Sequence, residues 1–141
     1  MKLDLVLGQK AVWQRRIEAG HVTAYREISG DANPLHFDPA YAAATTFGRL
    51  IVHGGITSGA LNALVAEVMP GPGSVFIRQE LDYVGPAHVG DLLTATGEVV
   101  WLHDSKPVCH LDVTVTALGA DDERARLCLR GRCVVYRAMP A

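Results

Sequence analysis

Two hydrophobic patterns divide the chain at Gly73. Beyond it, apolar residues recur at every second position. Val75, Ile77, Leu81 and Tyr83 alternate with Arg78, Glu80 and Asp82. Cys109, Leu111, Val113, Val115 and Ala117 alternate with His110, Asp112, Thr114 and Thr116. Ala125, Leu127, Leu129, Cys133 and Val135 alternate with Arg124, Arg126, Arg130 and Arg132. Residues 90–102 read as a further strand with weaker alternation. Four long strands with one polar face predict an antiparallel sheet covered on one side. Short polar stretches, 103–107 and 119–122, suit hairpin connections.

Before Gly73 the texture differs. Residues 10–17 predict a short strand. Residues 21–47 are helical and loop-like, broken at Asp31-Ala32-Asn33-Pro34. A small Ala-rich helix over 39–45 fits Pro39 in its first turn and Asp38 as its cap. Residues 56–69 are apolar nearly all round, bounded by Gly54-Gly55 before and Pro70-Gly71-Pro72-Gly73 after. An apolar girdle of this kind predicts a buried helix. One buried helix followed by four strands is solved economically by a sheet that curls around the helix, completed by the N-terminal strand. The predicted class is α+β. One helix cannot cover five strands alone, so a homodimer is expected.

Size and charge narrow the function. The chain has 141 residues and is expected to be one domain, 1–141. It is long enough to bury roughly 68% of its unfolded surface, so it needs no staples. Thirteen basic and fifteen acidic residues give a net charge of −2, without the basic excess of a nucleic-acid binder. No segment is long and apolar enough to span a membrane, and the N-terminus does not resemble a signal peptide. The three cysteines, Cys109, Cys128 and Cys133, form no CxxC pair. Cys128 and Cys133 are expected on opposite faces of one strand. Free thiols in a cytoplasmic protein are the reading that follows.

The chemistry gathers at two places. Asp31 and His36 lie five residues apart in a loop stiffened by Pro34, and Asn33 can turn the chain by bonding its own backbone. A carboxylate and an imidazole held together can bind one water and move protons at one point. Val52-His53-Gly54-Gly55 precedes the buried helix, and a helix start offers unpaired N–H groups to a developing oxyanion. Together these supply what chemistry beside a carbonyl requires. His53 is read as holding the turn before the helix. Of the six histidines, only His36 could meet Asp31 and Asp38, so no metal site is expected. His21, His88, His103 and His110 are read as loop or surface residues. The arginine row 124–132 is read as a solvated strand face, with coenzyme phosphates as the alternative. Trp13 and Trp101 are read as packing residues.

Residues 25–42, Y-R-E-I-S-G-D-A-N-P-L-H-F-D-P-A-Y-A, resemble the hydratase-2 signature of the MaoC-like (R)-specific enoyl-CoA hydratases, which have the hot-dog fold. Ile51-Val52-His53-Gly54 resembles the second motif of that family. The resemblance implies a hot-dog domain that adds water across the C2–C3 double bond of a trans-2-enoyl-CoA to give the (R)-3-hydroxyacyl-CoA. It implies Asp31 and His36 as the catalytic dyad and the N–H of Gly54, with Gly55 beside it, as the seat of the thioester oxygen. Asn33 would shape the loop. Asn62 stands where some members carry a helix residue that steadies the dyad. No cofactor is implied, because coenzyme A is part of the substrate. A dehydratase on acyl-carrier-protein substrates is a close variant. A thioesterase would need an acid on the central helix, where Glu67 is the sole candidate. A non-catalytic acyl-CoA binder would have no use for the dyad.

Overall fold

The computed structural model describes residues 1–140. Strand β1 (Lys10–Arg16) is followed by helix α1 (Ala19–Ser29) and two short helices, α2 (Pro34–Phe37) and α3 (Pro39–Ala43). Helix α4 (Gly54–Ala63) runs on into a π-helical turn, Leu64–Val68. Four strands complete the chain: β2 (Ser74–Tyr83), β3 (Leu92–Leu102), β4 (Val108–Leu118) and β5 (Arg126–Arg137). All pairings are antiparallel, in the order β1-β3-β4-β5-β2. Helix α4 and its π turn together touch all five strands, so the sheet curls around them. This is the α+β hot-dog arrangement that the change of period predicts.

The core lies between α4 and the inner sheet face. Leu61, Leu64 and Val65 from the helix meet Leu93, Ala95 and Val99 from β3 and Leu111, Val113 and Val115 from β4. Alternation is strict in β4 and holds in β3 as far as Val99, each buried residue flanked by half-buried ones; there the pairing skips Val100 and Trp101 turns outward. The helix starts two residues earlier than its apolar run suggests. Gly54 and Gly55 form its first turn, with His53 as the N-cap residue. It is also less enclosed than the composition implies. Gly59, Asn62, Glu67 and Val68 are exposed, because the sheet wraps one side of the helix only.

Bulges also shift the phase of β2 and β5. In β2 the pairing skips Ile77, so Phe76 and Leu81 pack on the core while Val75 (53%), Ile77 (59%) and Tyr83 (56%) are exposed. The apolar face expected to point inward lines the free edge of the sheet instead. In β5 the pairing skips Cys128, leaving Leu127 outside and turning Cys128 in beside Leu129. Cys128 and Cys133 therefore both face the core, not opposite sides: one extra residue reverses the parity of the strand. All three thiols are free and buried. Burial pushes those of Cys109 and Cys133 up to about 11 and raises that of Cys128.

Neighbouring residues on α4 should respond very differently to truncation. Leu61 is wholly buried and Asn62 exposed. Leu61→Ala is expected to lower unfolding free energy by about 2–5 kcal/mol, and Asn62→Ala by less than about 0.5 kcal/mol. Urea unfolding curves of the two variants check this.

Candidate active site

The dyad loop begins where α1 ends. Gly30 caps that helix in the left-handed conformation (φ 76°), which a side chain would strain. Asp31 Oδ1 then accepts the N–H of Asn33 at 3.0 Å. Asn33 Oδ1 accepts the N–H of Leu35 at 3.1 Å and so caps α2, with Pro34 in its first turn. These two side-chain-to-backbone turns bring Asp31 and His36 together across Pro34. Asp31 Oδ2, the carboxylate oxygen with no other partner among the described residues, stands 3.8 Å from His36 Nε2.

His36 is held from behind. Its Nδ1 donates to the carbonyl of Ile51 at 2.8 Å. A carbonyl only accepts, so Nδ1 carries a proton, and in its neutral form the ring presents a lone pair at Nε2. Oδ2 and Nε2 are thus two acceptors too far apart to bond each other. A water between them can give one hydrogen to each. The imidazole is nearly buried (8% exposed) and the carboxylate open (43%), so the pair sits at a surface with its ring sunk into the protein.

His53 joins this loop to the start of α4. Its Nε2 donates to the backbone carbonyl of Asp31 at 2.9 Å, and its ring stacks on His36 with centroids 3.9 Å apart. Its Nδ1 is buried without a partner. His53 thus braces the dyad loop as well as preceding the helix. Tyr25 covers the other side of His53, ring centroids 4.8 Å apart. The Tyr25 hydroxyl lies where a Cβ on Gly55 would be, at 1.7 Å, so a side chain there would have to push Tyr25 aside. The N–H groups of Gly54 and Gly55 open α4 and have no acceptor among the described residues. Gly54 borders a cavity of about 310 Å³ whose wall includes Ile51, Val52 and Tyr83. His36 borders a second, of about 680 Å³, which shares Ile51 and Val52 and extends to Arg49 and His88.

Other candidates lie elsewhere. Asn62 is exposed on α4 and makes no hydrogen bond to residues 31–36; His53 does the bracing that Asn62 was expected to assist. Asp38 turns away from His36, accepting the N–H groups of Ala40 and Tyr41 as the cap of α3. The third group near the dyad is instead His53: Asp31, His36 and His53 each offer a ligand atom within 4.8 Å of the others. Two of the four ring nitrogens are already spent on carbonyls, and the rings are stacked. Such a set is poorly disposed to surround a metal ion. Glu67 is exposed in the π turn, at the opposite end of the helix from Gly54.

His88, expected at the surface, is buried. Its backbone N–H binds Asp91 Oδ2, and Arg126 bridges Asp91 and Asp122. Arg132 pairs with Asp112 on the outer face. Two of the four arginines are therefore committed to acids: Arg132 on the solvated strand face, and Arg126 in a partly buried cluster with Asp91.

A buried helix wrapped by a five-stranded antiparallel sheet, with an acid and an imidazole bracketed to the helix start, defines a hot-dog domain of the hydratase type. Residues 8–121 match the family model described as MaoC like domain, and the chain belongs to that family. It is 40% identical over 116 residues to an (R)-specific enoyl-CoA hydratase of Aeromonas caviae, covering 82% of this chain and 87% of that protein. The structure of the (R)-hydratase from A. caviae superposes with a TM-score of 0.85 at 37% identity, over 96% of this chain and 98% of that one. The unliganded R-hydratase of Pseudomonas aeruginosa gives 0.83 at 30% identity, over 95% and 83%.

The neutral state of His88 sets a pH dependence. Burial, with Arg49 beside it, holds its imidazole below the ordinary value of 6.5, against the pull of Asp91. As pH falls through 6.5 the unfolded chain takes up this proton and the folded chain does not, so stability declines on acidification and is untouched above. Urea midpoints between pH 7.5 and 5.5 should fall less steeply in His88→Gln than in the wild type.

Proposed function

We propose that the chain hydrates trans-2-enoyl-CoA thioesters to (R)-3-hydroxyacyl-CoA, and runs the reverse dehydration, as a hydro-lyase of one domain spanning residues 1–141. The observation that carries this reading is the pair of facing acceptors, Asp31 Oδ2 and His36 Nε2, bracketed to the first turn of α4.

The substrate carbonyl oxygen accepts the N–H of Gly54, with Gly55 beside it in the positive field of the helix start. That bond strengthens as charge moves from the double bond onto oxygen, which makes C3 electrophilic. The water held between Asp31 and His36 bonds C3 through its oxygen. One of the two acceptors takes the proton that leaves, and the pair returns one proton to C2. Atoms and charge balance without an oxidant or reductant, so the chemistry asks for no cofactor beyond the coenzyme A that the substrate carries. Asn33 keeps the loop in shape through its turn and cap, and His53 keeps it against the helix. Asn62 is assigned no contact with the dyad.

The free edge of β2 supports a homodimer. Val75, Ile77 and Tyr83 expose apolar surface along a strand whose outer backbone groups lack a neighbour. Tyr83 also packs within reach of Gly54, so a second copy on this edge would border the helix start. Three buried free thiols favour a reducing compartment, and we place the protein in the cytoplasm. No helix is long and apolar enough to cross a membrane.

Asp31→Asn should fold with an unchanged melting temperature and lose about 10²–10⁴-fold in kcat, read as the disappearance of the enoyl absorbance of crotonyl-CoA. A correctly folded Asp31→Asn protein with wild-type turnover would refute the dyad. Thiol release in place of hydration would point to hydrolysis. The double variant Val75→Lys, Ile77→Lys should sediment as a monomer where the wild type sediments as a dimer.

A further inference from the structure

Arg49 is a cation beside the site that makes no ion pair among the described residues. Its guanidinium instead donates through one Nη to Nδ1 of His88 at 3.1 Å. Arg126 donates to the same nitrogen at 3.3 Å. A nitrogen that accepts from two guanidinium groups carries no proton, so His88 is neutral, in keeping with its burial. The choice of tether matters electrostatically. A carboxylate bonded to Arg49 would neutralise it; a neutral imidazole holds it without doing so and leaves most of its five N–H donors unspent, while the exposed Asp122 carboxylate feels its charge.

The backbone of the same loop is fastened to the dyad. Two residues after Arg49, Ile51 receives His36 Nδ1 on its carbonyl and gives its N–H to Leu35. Val52 bonds Ala87, next to His88. Arg49 is therefore fixed relative to His36 through both side chain and main chain. The two residues border one cavity of about 680 Å³, whose remaining wall is largely apolar: Val22, Phe37, Leu50, Val52 and Val89. An apolar channel with the reacting imidazole on its wall and a fixed cation beside it matches an extended thioester arm that ends in an anion. Arg126 is occupied by Asp91 and Asp122, and Arg132 by Asp112, while Arg26 lies over the ring of Phe37.

We propose that Arg49, tethered by neutral His88 at the wall of the His36 cavity, binds a phosphate of the thioester carrier and so selects phosphorylated pantetheine substrates. This rests on the hydratase reading above. The phosphate has two sources, the one that adjoins the pantetheine arm and those of the nucleotide end of coenzyme A. His88 is a positioning residue that acts through Arg49.

Three substrates separate these terms: crotonyl-CoA, crotonyl-4′-phosphopantetheine and phosphate-free crotonyl-pantetheine. In Arg49→Gln the ratio of kcat/KM for crotonyl-CoA to that for crotonyl-pantetheine should fall roughly ten- to hundredfold, with the loss in KM. Arg49→Lys should recover part of it. If crotonyl-4′-phosphopantetheine loses as much as crotonyl-CoA, the phosphate next to the arm is the one bound; if only crotonyl-CoA loses, it is the nucleotide end. Either result supports Arg49 as the phosphate site. In the wild type, added salt should raise KM for crotonyl-CoA and not for crotonyl-pantetheine, a reading independent of how the variants fold. An active wild type whose substrate ratio is unmoved by Arg49→Gln, or whose KM for crotonyl-CoA ignores salt, would overturn the Arg49 assignment and leave the hydratase reading intact. A wild type that hydrates none of the three would overturn both.

Discussion

The site is drawn together by a hydrogen bond between an imidazole and a main-chain carbonyl. His53 Nε2 reaches back to Asp31 and ties a loop from the end of α1 to the first turn of α4. With the two bonds that Ile51 makes to Leu35 and His36, it fastens the dyad to the segment that carries the helix N–H groups. The His53 bond joins two groups 22 residues apart in the chain, and it leaves His53 Nδ1 buried with nothing to bond. A buried acceptor without a donor is destabilising by about 1–3 kcal/mol. The fold tolerates that loss in exchange for a rigid relation between proton-transfer groups and oxyanion donors. Catalytic geometry of this kind is commonly sustained at the expense of stability.

The site is built in layers of decreasing chemical specificity. In the proposed reaction Oδ2 and Nε2 are the reacting acceptors. Behind them stand backbone groups, the carbonyls of Ile51 and Asp31 and the N–H of Asn33, each of which settles one orientation or one tautomer. Behind those come Tyr25 and Gly55, locked by shape alone. The outermost layer is the Arg49–His88–Asp91–Arg126 network, where charge, not shape, decides what the cavity welcomes.

Much of the fold was legible because β4, and β3 as far as Val99, obey a period of two, and because α4 is framed by glycines and prolines. The dyad was legible because Asp31, Asn33, Pro34 and His36 each have a local reason to stand where they do. What escaped the reading had no local signature. Ile77 and Cys128 are bulge residues, and nothing in their neighbours' types marks the skipped pairing that sends Val75 outward and Cys128 inward. The burial of His88 goes with contacts to Arg49 and Arg126, which are remote in sequence, although Asp91 is only three residues on. The carbonyl of Ile51, which sets the tautomer of His36, belongs to the main chain and leaves no trace in residue identity. Asn62 was placed near the dyad by resemblance, and the turn of the helix carries it to the open face.

The bulge in β5 reaches beyond packing. By turning Cys128 inward it leaves no sulfhydryl on the outside of the protein, and the thiols of Cys109 and Cys133 stay protonated at any physiological pH. The native chain is accordingly a silent background for maleimide chemistry. A single cysteine placed on an exposed position, such as Val68 at the far end of the central helix, would be the one reactive handle for a fluorophore or spin label.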